Sequence, residues 1–156
     1  MGTRSRIGAA CCGVVMVVAA CGGGSSRLSA PAYARAASSV CLRANRAVAR
    51  VAVPPFSSRR DAAHAMALVV AIQRRTIDDL RDLRPPGDLS GTVQRWIALL
   101  DQAADELERT GAHLRAGRDG DAVEFGAKAT TLLDRARALI APLRVTSCHG
   151  PELPTV

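Results

Sequence analysis

The stretch VQRWIALLDQAADEL, residues 93–107, repeats apolar side chains at spacings of three and four. This spacing places the apolar residues on one face of an α-helix and the charged residues on the other. The pattern starts near Asp88 or Ser90 and predicts a helix of about seven turns. Its apolar line is Val93, Trp96, Ile97, Leu100, Ala103, Ala104, Leu107, Gly111 and Leu114.

Three other segments have the same periodicity, and each begins with residues that suit the first turn of a helix. The starts are Pro31 for the first segment, Ser58 with Asp61 for the second, and Asp121 with Glu124 for the last. Proline-containing or glycine-containing breakers separate the segments. The breakers are Val53-Pro54-Pro55, Pro85-Pro86-Gly87 and Ala116-Gly117-Arg118-Asp119-Gly120.

Four amphipathic helices with short connections favour antiparallel neighbours. The sequence therefore predicts an all-α fold, a four-helix up-down-up-down bundle over residues 30–148. In that topology the first helix starts at the pole where the fourth helix ends. Many inner positions are alanine, which predicts close helix approach and a thin core. The aromatic residues Tyr33, Trp96 and Phe125 fall on the apolar lines, so we expect them to pack in this core.

The segment before the bundle has the order of a signal peptide. Arg4 and Arg6 precede the apolar run Ile7–Ala20, whose 14 residues are fewer than the about 20 that a membrane-spanning helix needs. The run ends in Val18-Ala19-Ala20-Cys21, which resembles the lipobox of bacterial lipoprotein signal peptides. This resemblance implies that residues 1–20 are removed and that Cys21 becomes a lipidated N-terminus. The alternative is a secreted protein in which Cys21 has no special role.

The residues after Cys21 fit a lipid-anchored domain. Gly22-Gly23-Gly24-Ser25-Ser26 is typical of a flexible linker, so residues 21–29 are expected to form the lipidated cysteine and a tether. Residues 149–156 are expected to form a C-terminal tail. The chain is similar to small helical lipoproteins of actinobacteria, which implies an extracytoplasmic, membrane-anchored location and no particular activity. The features that carry this similarity are the lipobox, Cys41, Leu80-x-x-Leu83-x-Pro85-Pro86 and Cys148.

The cysteine count predicts one disulfide. Of five cysteines, two lie in the apolar run and leave with it, and Cys21 is taken by lipid. Cys41 and Cys148 remain as an even pair in an oxidising compartment, where we expect them to form a disulfide. A metal pair involving His149 or a reactive thiol are the alternatives. No C-x-x-C motif or second Cys/His cluster accompanies them.

The charge balance indicates a basic surface. The chain has a net charge of +7, or +5 once Arg4 and Arg6 are removed with the signal peptide. One interpretation is a solvated surface in which Arg74 pairs with Asp78 and Arg75 with Asp79, each four residues apart. The other is a face that contacts anionic lipid headgroups or wall polymers. Its candidate residues lie along one side of the first helix and are Arg35, Arg43, Arg46 and Arg50.

No arrangement typical of catalysis or metal binding occurs in the sequence. The three histidines lack H-E-x-x-H and E-x-x-H spacing, and no G-x-S-x-G or phosphate-binding glycine loop is present. Asp101, Asp105 and Glu108 share a helical face, where they either collect cations or pair with a basic neighbour. We therefore expect no catalytic residues, no metal and no cofactor.

The leading functional hypothesis is a non-enzymatic interaction module of the cell envelope. Its partners would be the membrane through the lipid, together with an anionic lipid, a wall polymer or an envelope protein. Export and the scarcity of aromatic side chains argue against nucleic acid. The alternative is a carrier or sensor of a small apolar ligand or metal, which a cavity lined by Val69, Ile72, Trp96 and Leu100 would favour.

Overall fold

The computed structural model describes residues 27–51 and 58–148, which form four α-helices with antiparallel neighbours. The helices are α1 (Ala30–Arg50), α2 (Arg59–Arg81), α3 (Ser90–Arg115) and α4 (Asp119–Ile140), with 3₁₀ turns at Gly87–Leu89 and Ala141–Leu143. The prediction of an all-α four-helix bundle is therefore confirmed. The predicted signal peptide, the lipobox with Cys21 and the C-terminal tail lie outside the described residues.

Side-chain caps begin the first two helices. Ser29 Oγ accepts a hydrogen bond from the amide of Ala32, and Ser58 Oγ accepts one from the amide of Asp61 at 3.2 Å. These contacts satisfy amides that have no partner within the helix. The contacts of the bundle also extend to Leu28, which lies in the segment predicted as tether and whose amide donates to the carbonyl of Arg84.

The start of α4 differs from the prediction. The helix begins at Asp119, two residues before Asp121, and no side chain caps it. Gly117 at the end of α3 has a φ of 71°, which favours glycine, and the amide of Arg118 donates to the carbonyl of His113. This tight turn reverses the chain early, so α4 starts before the capping pattern that the sequence suggested.

The main core lies between the first half of α1 and the adjoining halves of the other helices. Its largest fully buried side chains are Trp96, Tyr33, Leu80 and Ile140. Several inner positions are alanines with almost no exposed surface, as the sequence predicted. They are Ala37, Ala103, Ala104, Ala129 and Ala136. A core of small side chains buries less apolar area per residue, and each residue contributes less to stability.

Helix α1 is offset along the bundle toward the pole where it begins. A second buried cluster contains Val70, Leu107 and Ala129, with Met66 packed against it, and includes no residue of α1. Val48, near the end of α1, lies beside Ile72, near the middle of α2. The second cluster therefore joins the N-terminal half of α2 to α3 and α4.

The segment after α4 turns back along α1. Arg144 adopts a left-handed φ of 54°, and Val145 is then buried in the main core. The amide of Thr146 donates to Ser38 Oγ, and Asn45 Nδ2 donates to the carbonyl of Ser147 at 2.8 Å. These contacts hold the last described residues against the middle of α1.

Because this segment turns back along α1, it brings Cys148 to Cys41 and the predicted disulfide forms. Cys41 and Cys148 are bonded, with their Cα atoms 4.9 Å apart, within the range that disulfides require. An up-down-up-down topology, in which α4 ends at the pole where α1 begins, predicts a bridge at that pole, and this prediction is wrong. Cys41 lies near the middle of α1, which the C-terminal segment reaches only because it turns back.

Candidate functional site

The charges of the bundle are distributed unequally among its helices. Helix α1 contains four arginines and no acidic residue, whereas α2 contains five basic and three acidic residues. Helices α3 and α4 each contain three lysine or arginine residues and four acidic residues. The domain therefore has a basic side on α1 and a slightly acidic side on α3 and α4.

The four arginines of α1 form one exposed face, called here the arginine face: Arg35, Arg43, Arg46 and Arg50. At 3.6 residues per turn they fall within about 80° of one another around the helix axis. The buried residues of α1 lie on the opposite side, against the core. The arginines point to solvent because the inner side of the same helix is fully used by apolar packing.

Only part of the arginine face is neutralised by other described residues. Arg43 pairs with Asp79 of α2 at 3.5 Å, and both side chains are largely exposed. Arg35, Arg46 and Arg50 form no ion pair with a described residue. Three permanent positive charges are therefore available to an external anionic partner.

An exposed leucine lies at the edge of the arginine face, a feature that the sequence analysis did not single out. Leu42 is 41 % exposed and falls about 20° around the helix from Arg35. The sequence could have indicated it, because Leu42 is a large apolar residue that lies outside the apolar line of the first helix. Single exposed apolar residues are common, so Leu42 is a candidate contact residue only because it lies beside the arginines.

A small apolar cavity lies beneath α1, on the side opposite the arginine face. Its volume is about 70 Å³, and residues of all four helices and both disulfide cysteines contribute to its wall. Of the four residues that the sequence analysis proposed for a cavity, Ile72 and Leu100 contribute to this wall. Trp96 is buried in the main core instead, and Val69 does not line the cavity.

Two amides line this cavity and differ in how their polar atoms are satisfied. Asn45 donates to the carbonyl of Ser147, which ties the C-terminal segment to α1. The Oε1 atom of Gln73 is buried and accepts no hydrogen bond from a described residue. The cavity therefore combines an apolar wall with one unused acceptor, and its volume fits a group of only a few heavy atoms.

The acidic face of α3 is held by arginines of α2. Arg74 contacts Asp101 at 3.1 Å, Asp105 at a shorter distance, and Glu108 at 3.4 Å. Hydrogen bonding to Asp105 is the largest of the effects that raise the pKa of Arg74 above its ordinary value. The interpretation that this face pairs with a basic neighbour is confirmed, because the three carboxylates surround a guanidinium.

This arrangement corrects the predicted ion pairs within α2. Arg74 pairs with α3 instead of Asp78, and Asp78 pairs with Arg81 at 3.0 Å. Asp79 pairs with Arg43 of α1, and Arg75 forms no ion pair with a described residue. In α4, by contrast, Glu124 and Lys128 lie four residues apart and pair at 2.6 Å. Charged residues on neighbouring helices compete with those four residues away in the same helix, and they supply the partners of Arg74 and Asp79.

Phe125 lies at the edge of the bundle and not in its core. Its ring stacks on His113 with centroids 4.8 Å apart, and Lys128 Nζ lies 4.7 Å from the ring centre. His113 Nδ1 lies 3.1 Å from Asp121 Oδ2 without the alignment of a hydrogen bond. The prediction of a core position is wrong because Phe125 lies in the second turn of α4, where it covers the histidine of α3.

Within residues 27–51 and 58–148, no group of three histidine, cysteine or acidic side chains is arranged to hold a metal ion. None of the described helices is both long enough and apolar enough to cross a membrane. A groove of about 520 Å³ runs along α3 and α4, but four charged residues on its wall are engaged internally. Those residues are Asp105, Glu106, Arg109 and Lys128.

No protein-family model, no curated protein and no solved structure matches this chain. The arginine face and the cavity lie on opposite sides of α1, so this helix is the centre of the candidate site.

Proposed function

We propose that this protein is a lipoprotein of the cell envelope, anchored through Cys21 on the extracytoplasmic face of the membrane. Its helical domain acts as a non-enzymatic interaction module, and the arginine face binds an anionic component of the envelope. The observation that carries this proposal is the charge of α1, which has four exposed arginines and no acidic residue.

The disulfide supports an extracytoplasmic location. Disulfides persist in oxidising compartments and are rare where cellular thiols are kept reduced. Cys41 and Cys148 are bonded across the bundle, and the residues around them hold both partners in place. This agrees with the export that the order of charged residues, apolar run and Val18-Ala19-Ala20-Cys21 suggests.

The size of the cavity favours the interaction module over the carrier. Pockets that enclose small-molecule ligands usually have volumes of about 300–1,000 Å³, whereas the apolar cavity beneath α1 has about 70 Å³. A carrier would need the walls of this cavity to move apart, and on one side the disulfide and the bond from Asn45 to Ser147 fix α1 to the C-terminal segment. The carrier of a small apolar ligand remains the second candidate because this cavity has an apolar wall.

The anchor is tested by replacing Cys21 in the full chain, expressed in a host that processes lipoproteins. We expect the wild type to fractionate with membranes and its intact mass to include diacylglycerol at Cys21. Cys21→Ala should remove both properties. Cys12→Ala is the matched control, since it removes a cysteine from the apolar run and leaves the lipobox intact. Wild-type protein without acyl mass, or Cys21→Ala protein that remains acylated, would contradict the proposal.

The choice between module and carrier is tested by native mass spectrometry of the exported Cys21→Ser chain. A monomer two hydrogens lighter than its reduced form, with no bound molecule, is expected for the interaction module. A stoichiometric non-covalent adduct would favour the carrier and would identify its ligand by mass.

A further inference from the structure

We infer that the arginine face of α1 docks on the anionic bilayer surface that holds the lipid anchor. In this arrangement α1 lies parallel to the membrane plane and Leu42 enters the headgroup region. The inference rests on the proposed function, because it requires the acylated Cys21. It adds the identity of the anionic partner and the orientation of the domain.

The first argument is the distance between the anchor and α1. Six residue steps separate Cys21 from Arg27, and an extended chain covers at most about 21 Å over that distance. Electrostatic attraction to a membrane falls off over about 8 Å at physiological ionic strength. This tether keeps the start of α1 within reach of the bilayer, so its arginines can enter the layer of about 8 Å in which they attract the surface, and the rest of the helix follows when it lies flat.

The net positive charge of the described helices is concentrated on the α1 side of the domain. Arg35, Arg46 and Arg50 are exposed on one side of α1 and lack ion-pair partners among the described residues. Helices α3 and α4 each contain one more acidic than basic residue when histidine is left out. An anionic surface therefore attracts the α1 side and repels the opposite side, and this difference selects one orientation.

The third argument distinguishes a membrane from a soluble anionic polymer. Leu42 is 41 % exposed at the edge of the arginine face. A hydrophilic polymer offers this side chain no apolar environment, whereas the boundary between headgroups and acyl chains does. Basic residues combined with a large apolar side chain on one helical face are the features by which helices bind membrane interfaces.

The test is hydroxyl-radical footprinting of the lipidated full chain in vesicles of phosphatidylcholine, with or without phosphatidylglycerol. We expect oxidation of Leu42 to fall several-fold only on vesicles that contain phosphatidylglycerol, and the fall to disappear at high salt. Val123, which is 73 % exposed on α4, is the internal control and should be oxidised equally in both. Equal oxidation of Leu42 on both vesicles would overturn the inference.

Two matched triple variants test the charges. The variant R35Q/R46Q/R50Q removes the arginines of α1 that pair with no described residue, and R95Q/R115Q/R135Q removes three exposed arginines of α3 and α4. At about fivefold per arginine near an anionic surface, the first variant should weaken docking about 100-fold and restore oxidation of Leu42. The second should leave the protection of Leu42 in place, and equal effects of the two variants would overturn the inference.

The same samples separate a failure of docking from a failure of the anchor. Intact mass reports whether Cys21 is acylated, and it does so independently of the footprint. Protection of Leu42 by soluble poly(glycerol phosphate), with none on anionic vesicles, would assign the arginine face to a polymer and overturn the membrane assignment.

Discussion

Removal of the disulfide should lower the stability of the domain by several kcal/mol. Cys41 and Cys148 are separated by 107 residues along the chain, so their bond closes a loop of nearly the whole domain. In the chain-entropy relation this closure lowers the entropy of the unfolded state by about 16 cal/mol/K, which is about 4.8 kcal/mol at 25 °C. Small domains have unfolding free energies of about 5–15 kcal/mol, so the expected loss is a large part of the total.

The measurement is urea unfolding of the exported protein, followed by the fluorescence of Trp96, which is buried in the main core and is the only tryptophan of the chain. Oxidised wild type, reduced wild type and the variant Cys41→Ala/Cys148→Ala are compared. Reduced wild type retains both sulfur atoms, so its difference from the oxidised form isolates the cross-link. The difference in unfolding free energy between reduced wild type and the variant then measures the packing of the buried Cys41 side chain.

We expect reduction to lower the unfolding free energy by about 4–5 kcal/mol and to speed amide exchange at Thr146. The exchange should change because the C-terminal segment is held to α1 by the disulfide and by two hydrogen bonds. An unfolding free energy that changes by less than about 1 kcal/mol on reduction would refute the loop-closure argument.

Three further changes have expected outcomes. Burial raises the pKa of Tyr33 to about 12, so ionisation of Tyr33 destabilises the fold, and about 2 kcal/mol of the unfolding free energy should be lost as pH rises from 10 to 12. Tyr33→Phe should not show this loss. The measurement is urea unfolding of both proteins between pH 10 and 12, and an equal fall in their unfolding free energies would contradict the prediction. Arg74→Gln should lower the unfolding free energy by about 1–2 kcal/mol, and less at high salt, because the three ion pairs are partly exposed. Arg75→Gln is the control. If thermal unfolding shows that both variants lose the same stability, the interhelical ion pairs of Arg74 have no special role. Gly126→Ala should raise the unfolding free energy by about 0.5–1 kcal/mol, since its new Cβ meets no atom within 4 Å. Gly111→Ala should raise the unfolding free energy by less, because its new Cβ would lie 3.3 Å from Met66 Cγ. A larger increase for Gly111→Ala than for Gly126→Ala would contradict this prediction.

Local features of the sequence were sufficient to predict the helices and most of the core. Apolar spacing along the chain depends only on the geometry of a single helix, so Trp96 and Tyr33 were assigned correctly to the interior. The cap at Ser58 was equally predictable because its hydrogen bond spans three residues. Arg35, Arg43, Arg46 and Arg50 were predicted as one exposed side of a helix for the same reason, and all four are exposed there.

The disulfide partners were predictable by elimination, but the position of their bond was not. Cysteine counting identifies the pair, whereas the return of residues 144–148 along α1 depends on the left-handed turn at Arg144 and on the burial of Val145. The partly buried position of Phe125 at the edge of the bundle likewise depends on where the turn after α3 places the start of α4.

The sequence by itself therefore determined which residues form helices, which side of each helix is apolar, and which cysteines pair. The tertiary structure alone decided the register between helices, and with it the partners of Arg74, the offset of α1 and the cavity beside the disulfide. The physical reason is the range of each interaction. Helical periodicity and capping act within a few residues, whereas ion pairs and cavities depend on the axial position of one helix against another, and apolar stripes rich in alanine specify that position only weakly.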